Sequence, residues 1–449
     1  MRAFALRSTR VVTPDGVGPQ AIHVRDGLIE RVDRHDAMPD VGDVVDVGDA
    51  VVMPGLVDTH VHINEPGRTD WEGFATATRA AAAGGVTTLL DMPLNSVPAT
   101  TTAAALDTKR TAARGQCSVD VGFLGGVVPG NTHELAALHS AGVFAFKCFM
   151  VPSGVDEFGH VGERELREAL PVLARLGATL MVHAESPAAI AGAPPIRDPR
   201  RYADYLASRP RAAETDAIGL VLRLAEEFGA RVHIVHLSSA DALPMLADAR
   251  RRGVAVTAET CPHYLHFAAE EIADGATDHK CAPPIRDAAN REALWRALDG
   301  GAIDAIVSDH SPCPAGLKQL DSGNFATAWG GIASLQHGLA VAWDGMRARH
   351  LDVERLATWM SAGPARLAGL SHCKGAIAAG RDADFVVWHP DEVFTVRADA
   401  LQQRHRITPY LGARLPGVVE STYLRGMKIH ERGAIVAPLR GQLIARGGR

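Results

Sequence analysis

The rhythm of apolar and polar positions changes twice along the chain. Up to about residue 52, short apolar runs such as AIHVRD, LIERVD and VVDVGDAVVMP are separated by Gly and Asp turn residues. That pattern predicts β-strands and no helix. From Leu56 onward an apolar run, a turn and a helical stretch recur in the same order. The runs are LVDTHVHI, VTTLLDMP, SVDVGFLG, VFAFKCFM, TLMVHAES, RVHIVHLSS, VAVTAETCP and IDAIVSDHS, eight in all. Between them DWEGFATATRAAAAGG, GERELREALPVLARLG and AETDAIGLVLRLAEEFG carry helical periodicity and close on glycine, the residue best suited to end a helix before a strand. Eight such units in succession predict an α/β fold, a (β/α)8 TIM barrel. After DVERLATWMSAGPARLAGL the rhythm returns to strands in GAIAAGRDADFVVWHP and ESTYLRGMKIHERG. The expected architecture is a barrel over residues 53–374 inserted into a small β-sandwich domain formed by residues 1–52 and 375–449.

Composition narrows the function classes. Hydrophobic residues make up 47% and charged residues 22% of the 449 positions, ample to bury a core and unlike a disordered chain. A formal charge of -6 lacks the basic footprint of nucleic-acid binding, so a small-molecule substrate is expected. No apolar run approaches the ~20 residues that span a bilayer, and MRAFALRSTRVV lacks the apolar stretch of a signal peptide, which points to a cytoplasmic protein with no membrane partner. Cys117, Cys148, Cys261, Cys281, Cys313 and Cys373 form no CxxC pair and are too sparse for a disulfide framework. They read as free thiols.

The polar clusters fall at the C-terminal ends of the predicted strands, where barrels build active sites. His60 and His62 are two apart on the first strand and share a face, able to grip one metal; a lone HxH also suits packed histidines. Lys147 sits in an apolar run on the fourth strand, where an unpaired ammonium would be costly. Either it finds a carboxylate or its stem snorkels outward, or a neutral amine takes up carbon dioxide to become a metal-bridging carbamate. His183 ends the fifth strand. On the sixth, His233 and His236 are three apart and are expected to face opposite sides, so His236, nearer the end, is assigned inward and His233 to structure. Asp309 ends the eighth strand, placed to ligate a metal and carry protons or simply to cap a turn. Cys148 is assigned to packing.

Two histidines, a lysine, two more histidines and an aspartate in barrel order resemble the amidohydrolase superfamily, and within it the cyclic amidohydrolases, among them dihydroorotases, hydantoinases and allantoinases. The resemblance covers essentially the whole chain. It implies two divalent metal ions, zinc by default among Zn, Co, Mn and Fe. His60, His62, carboxylated Lys147 and Asp309 would hold one, and Lys147, His183 and His236 the other. A hydroxide bridging the metals would be the nucleophile, with Asp309 as general base and then general acid. The family also implies a homo-oligomer, commonly a tetramer.

Substrate class rests on the strand exits. After the paired histidines this chain reads HVHINEPGRTDWEGF, where dihydroorotases read HLREPG, so Asn64 replaces an arginine that clamps a carboxylate. A neutral ring fits better, and EPGRTDWEGFATATRAAAAGGVTTLLDMPLNS is similar to the allantoinase members, which implies allantoin as substrate and allantoate as product. Hydantoinase or dihydropyrimidinase activity, or an atypical dihydroorotase, is the alternative, and an inactive scaffold relative a lesser one. Asn95 lies in MPLNS, where dihydroorotases read MPNT, so their carboxylate-binding role does not carry over and Asn95 stands as a candidate substrate contact. Ser311 and Cys281, the latter in KCAPPIR, resemble positions that contact the ring, and turn chemistry beside proline would explain both equally. The segments NEPGRTDWEG and PAGLKQLDSGNFATAWGGI follow strands one and eight and are candidate lids or plain solvated loops.

Overall fold

The computed structural model describes residues 3–37 and 43–448. The stretch 38–42, inside the expected N-terminal β segment, and positions 1, 2 and 449 lie outside the described residues.

The eight expected strands all form: Leu56–Val61, Val86–Asp91, Asp120–Phe123 continued by Gly125–Gly126, Phe146–Phe149, Thr179–His183, Arg231–Ile234, Val256–Thr260 and Ala305–Ile306. Every pairing among them is parallel. Their apolar runs are nearly unbroken because both faces are covered: every residue of Leu56–Val61 and of Val86–Asp91 is buried. The eighth strand is two residues long, and the ring closes by single contacts. His62 N–H donates to the His310 carbonyl at 2.8 Å, Val61 bridges His310 in parallel, and the buried Asp58 carboxylate accepts from the backbone N–H of His60 at 3.1 Å and of Ser308 at 3.1 Å.

The intervening helices follow the predicted stripes. Glu163–Leu176 buries Leu166, Ala169, Leu170 and Leu173 and ends on Gly177 at φ 64°. Arg211–Phe228 buries Ala217, Ile218, Val221, Leu222 and Ala225 and ends on Gly229 at φ 63°. Both glycines adopt the left-handed conformation that releases a chain from a helix. DWEGFATATRAAAAGG yields a helix only over Phe74–Ala83, since Gly73 at φ 127° holds the preceding residues in a loop.

The two end segments join one nine-stranded sheet. Val51–Pro54 is its junction: it pairs in parallel with Phe4–Thr13 and antiparallel with Phe385–Thr395. Beyond the latter follow Arg414–Leu424, Met427–Glu431 and Ala434–Ile435. This sheet lies against barrel helices, with Thr422 Oγ1 donating to the Ala82 carbonyl at 2.6 Å and Trp388 packed edge-on against Trp343 of helix Gly338–Arg347 at 5.3 Å.

A buried ion cluster fastens the tail to the barrel. Lys374 Nζ lies 2.7 Å from Asp120 of the third barrel strand, 2.9 Å from Asp382 and 2.6 Å from Asp384. Arg425 Nη1 reaches Asp120 at 2.5 Å, and the Gln442 N–H donates to its other oxygen at 2.9 Å. All six cysteines are buried, and none is in a disulfide among the described residues.

Candidate metal centre and substrate cavity

His60 lies in the first barrel strand and His62 one residue past its end; Lys147 lies in the fourth, His183 closes the fifth, and His236 and Asp309 follow the sixth and eighth. All six are buried. They converge: His60 Nε2 is 3.2 Å and His62 Nε2 3.5 Å from Asp309 Oδ1. The His236 ring is 5.4 Å from that of His60 and 4.6 Å from that of His183, centroid to centroid.

Strand ends alone do not aim these side chains. Asn64 (φ 66°), Asn95 (φ 66°), His236 (φ 38°) and Asp309 (φ 44°) all have left-handed backbones, a strained state for residues with a Cβ and one that gathers at functional sites. The twist corrects one expectation. Strict alternation would send only one of His233 and His236 inward. The strand stops at Ile234 and the chain leaves the extended conformation, so both reach the interior: His236 beside His60 and His183, and His233 with Nε2 2.9 Å from Glu259 Oε2.

Four buried nitrogens of the site have no hydrogen-bond partner among the described residues: His60 Nε2, Lys147 Nζ, His183 Nδ1 and His236 Nδ1. An unsatisfied buried polar group costs about 1–3 kcal/mol, so such a convergence calls for a ligand. Burial holds His60 and His236 well below the ordinary imidazole range and lowers His183 too. These rings are neutral and present lone pairs. Burial also pushes Lys147 down to about 8 against the pull of Asp309 and Glu259, and its Nζ sits 4.8 Å over the Phe149 ring. The carboxylate partner that sequence left open for Lys147 is not found among the described residues. Neutral imidazoles with an aspartate fit a divalent cation; an ammonium at Lys147 would repel one, so that side chain fits the set as a neutral or an acidic group.

Asn95 and Ser311 lie on the wall of the cavity above this point, with His62, His183, His236 and Asp309. Asn64 and Cys281 are not on that wall. Asn64 Nδ2 donates to the Pro312 carbonyl at 3.3 Å, and the Cys281 carbonyl accepts from Tyr205 Oη at 2.6 Å while burial pushes its thiol up to about 12. The neighbouring Ala282 is the wall residue. The two expected lid segments meet: Trp71 packs edge-on against Trp329 at 4.8 Å, and Arg68 lies 5.2 Å over the Trp71 ring. Hydrogen bonds from Trp329 N–H to the Leu317 carbonyl at 2.8 Å and from the Lys318 ammonium to the Trp329 carbonyl at 3.1 Å pin that residue. Its Nε1–H has no acceptor among the described residues.

Three residues escaped sequence reasoning. Glu185 Oε2 sits 2.7 Å from His183 Nε2 and is gripped by Arg209 through Nε and Nη2 at 3.0 and 2.6 Å. Burial works to raise Glu185, yet Arg209 and His183 outweigh it and hold it at about 2. Glu259 Oε1 sits 2.5 Å from His60 Nδ1. A glutamate two positions after a site histidine, and another inside an apolar strand, were the available signals.

A TIM barrel with buried histidines, a lysine and an aspartate gathered at one mouth defines a metal-dependent hydrolase. Residues 51–427 match the amidohydrolase family, and the chain belongs to it. An allantoinase of Streptomyces avermitilis is 55% identical over 444 residues, covering 99% of this chain and 98% of that protein. An allantoinase of Arabidopsis thaliana is 45% identical, covering 98% and 90%. Among solved structures, an L-hydantoinase (dihydropyrimidinase) from Arthrobacter aurescens superposes with a TM-score of 0.92 at 31% identity, covering 99% of this chain and all of that one. No helix among the described residues is long and apolar enough to cross a membrane.

Proposed function

We propose that this protein hydrolyses the cyclic amide of allantoin to give allantoate. The convergence of His60, His62, Lys147, His183, His236 and Asp309 carries the chemistry, and the full-length likeness to allantoinases supports the ring. In this reading His60, His62, Lys147 and Asp309 would hold one divalent cation and Lys147, His183 and His236 a second, and carboxylation of Lys147 on Nζ would give it the acidic group that both sets need. Zinc is the default, and Co, Mn and Fe suit the same donors. The cations, when bound, polarise the scissile carbonyl and make water acidic enough to attack at neutral pH.

Asp309 moves the proton. Its carboxylate, at the cavity wall, takes a proton from the attacking water and returns it to the ring nitrogen as the C–N bond breaks. Without that return the departing nitrogen would leave as an amide anion. Asn95 and Ser311 orient the ring from the wall, and the Trp71–Trp329 contact keeps bulk water from the breaking bond. Asn64, occupied by the Pro312 carbonyl, offers no clamp for an anionic substituent, which favours a neutral ring over dihydroorotate.

The test is ring opening of racemic allantoin by metal-loaded protein, read as allantoate by chromatography, with hydantoin, dihydrouracil and dihydroorotate alongside. Rapid allantoate formation with little turnover of the others supports the reading. Turnover of a different ring keeps the chemistry and replaces the substrate; no turnover of any ring by metal-loaded protein refutes it.

A further inference from the structure

A chain of hydrogen bonds runs through the barrel interior to His60. Thr257 Oγ1 lies 2.7 Å from His233 Nδ1, His233 Nε2 lies 2.9 Å from Glu259 Oε2, and Glu259 Oε1 lies 2.5 Å from His60 Nδ1. His233 and Glu259 are completely buried and His60 is 1% exposed. An ionised carboxylate has acceptors only, so each imidazole facing Glu259 must donate to it. That fixes both rings. His60 carries its proton on Nδ1 and presents a lone pair at Nε2; His233 carries its proton on Nε2 and accepts from the Thr257 hydroxyl at Nδ1. Each bond then has one donor and one acceptor, and His60 Nε2, 3.2 Å from Asp309 Oδ1, is left over at the site.

Glu259 feels Lys147 only through space, without an ion pair. Its ion-pair contacts among the described residues are the two histidines, with no lysine or arginine. A buried carboxylate without a directly paired cation is costly, and a divalent cation on the far side of the His60 ring would add to its compensation. His183 is held with the opposite sense: Glu185 engages its Nε2 and Nδ1 is left unpartnered.

We infer that Glu259 is a positioning residue for the metal centre: accepting from His60 and His233 at once, it commits His60 Nε2 to the cation and strengthens that ring as a ligand. This rests on the proposed metal centre and not on which ring is opened.

The experiment is a titration of chelator-stripped protein with Zn2+ against a chromophoric chelator, beside thermal unfolding of the same samples. Glu259→Gln keeps the size and one acceptor but adds an N–H, so one imidazole must give up its donor role. The expected result is roughly 10- to 100-fold weaker binding of one Zn2+ with the other unchanged, and recovery of occupancy and turnover in excess Zn2+. A residue needed only for packing would lower Tm and leave affinity alone. Thr257→Val is the second variant: it frees His233 to change tautomer, and affinity is expected to fall several-fold. Wild-type affinity in Glu259→Gln overturns the inference, as does wild-type affinity in Thr257→Val should Glu259→Gln fail to fold. A wild-type chain that binds no Zn2+ overturns it together with the metal centre. Two tightly bound Zn2+ ions with no action on allantoin would remove the proposed substrate and leave the role of Glu259 standing.

Discussion

Lys374→Met takes the shared cation from the cluster that fastens the tail to the barrel. Asp120, Asp382 and Asp384 each have a carboxylate oxygen within 4.8 Å of one another, and all three lie within 3 Å of Lys374 Nζ. Breaking a buried ion pair by removing one partner costs about 3–5 kcal/mol, because the other charges stay buried. With an unfolding entropy of roughly 2.1 cal/mol/K per residue, a cooperative unit of this length loses about 3–5 °C in Tm. The pH dependence has a definite sign. Burial works to lower Lys374, but Asp384, Asp120 and Asp382 outweigh it and raise its pKa. Its contribution is therefore complete below the unfolded value of about 10.4 and lost only as pH rises through the raised one. Burial works to raise Asp120, but Lys374 and Arg425 outweigh it and lower its pKa. That contribution is complete above about 3.9 and lost as pH falls through the lowered value. At pH 8 the variant therefore carries the full cost. Toward pH 5 one of the stranded carboxylates takes up a proton and the gap to wild type narrows. Calorimetric unfolding at both pH values reads this directly. A Tm change under about 1 °C at pH 8, or a gap that widens toward acid, would refute the electrostatic account.

Other expectations bear on the site. Lys147→Ala should lose metal and turnover together, with partial rescue by a short carboxylic acid; elemental analysis showing two bound metals and near-normal rates would sink the bridging role. Asp309→Asn should keep most of its metal while kcat falls about 10²- to 10⁴-fold, the usual worth of a positioned acid–base group, and an unchanged kcat would free Asp309 of proton transfer. Trp329→Phe keeps an aromatic ring against Trp71 but removes the unpartnered Nε1–H, so kcat/KM for allantoin is expected to fall about 5- to 150-fold, the worth of roughly 1–3 kcal/mol, with hydantoin less affected. Equal losses on both rings would mean that Nε1–H does not read the substituent.

The barrel was legible because its parallel strands are buried on both faces and write themselves as apolar runs, separated by helical stretches that close on glycine. His60, His62, Lys147, His183, His236 and Asp309 were legible because they interrupt those runs at their ends. What was hidden depends on conformation or on contacts distant in sequence. Alternation misjudged His233 because it assumed an extended chain through His236. The partners of the histidines could not be read from spacing: Glu259 meets His60 across 199 positions, and Arg209 reaches Glu185 from a separate loop. That Val51–Pro54 would be the strand shared by both end segments likewise depends on pairing that no local pattern encodes.

The seam where the first and eighth strands meet ties the enzyme's competence to the order in which it is made. The ring is shut by Asp58, His62 and His310 rather than by a continuous ladder, and Asp309 sits in that same joint. A nascent chain that has emerged only through the seventh strand already carries five of the six gathered side chains but has neither the last one nor the means to hold the first strand in place. Even then the barrel lacks Lys374 and Arg425, which bind Asp120 from the tail. Activity is therefore expected only once almost the whole polypeptide is out, and removal of the tail should be felt at the mouth both through Asp120 and through Arg404 and His405, which bond to Glu72 and Asp70 on either side of Trp71.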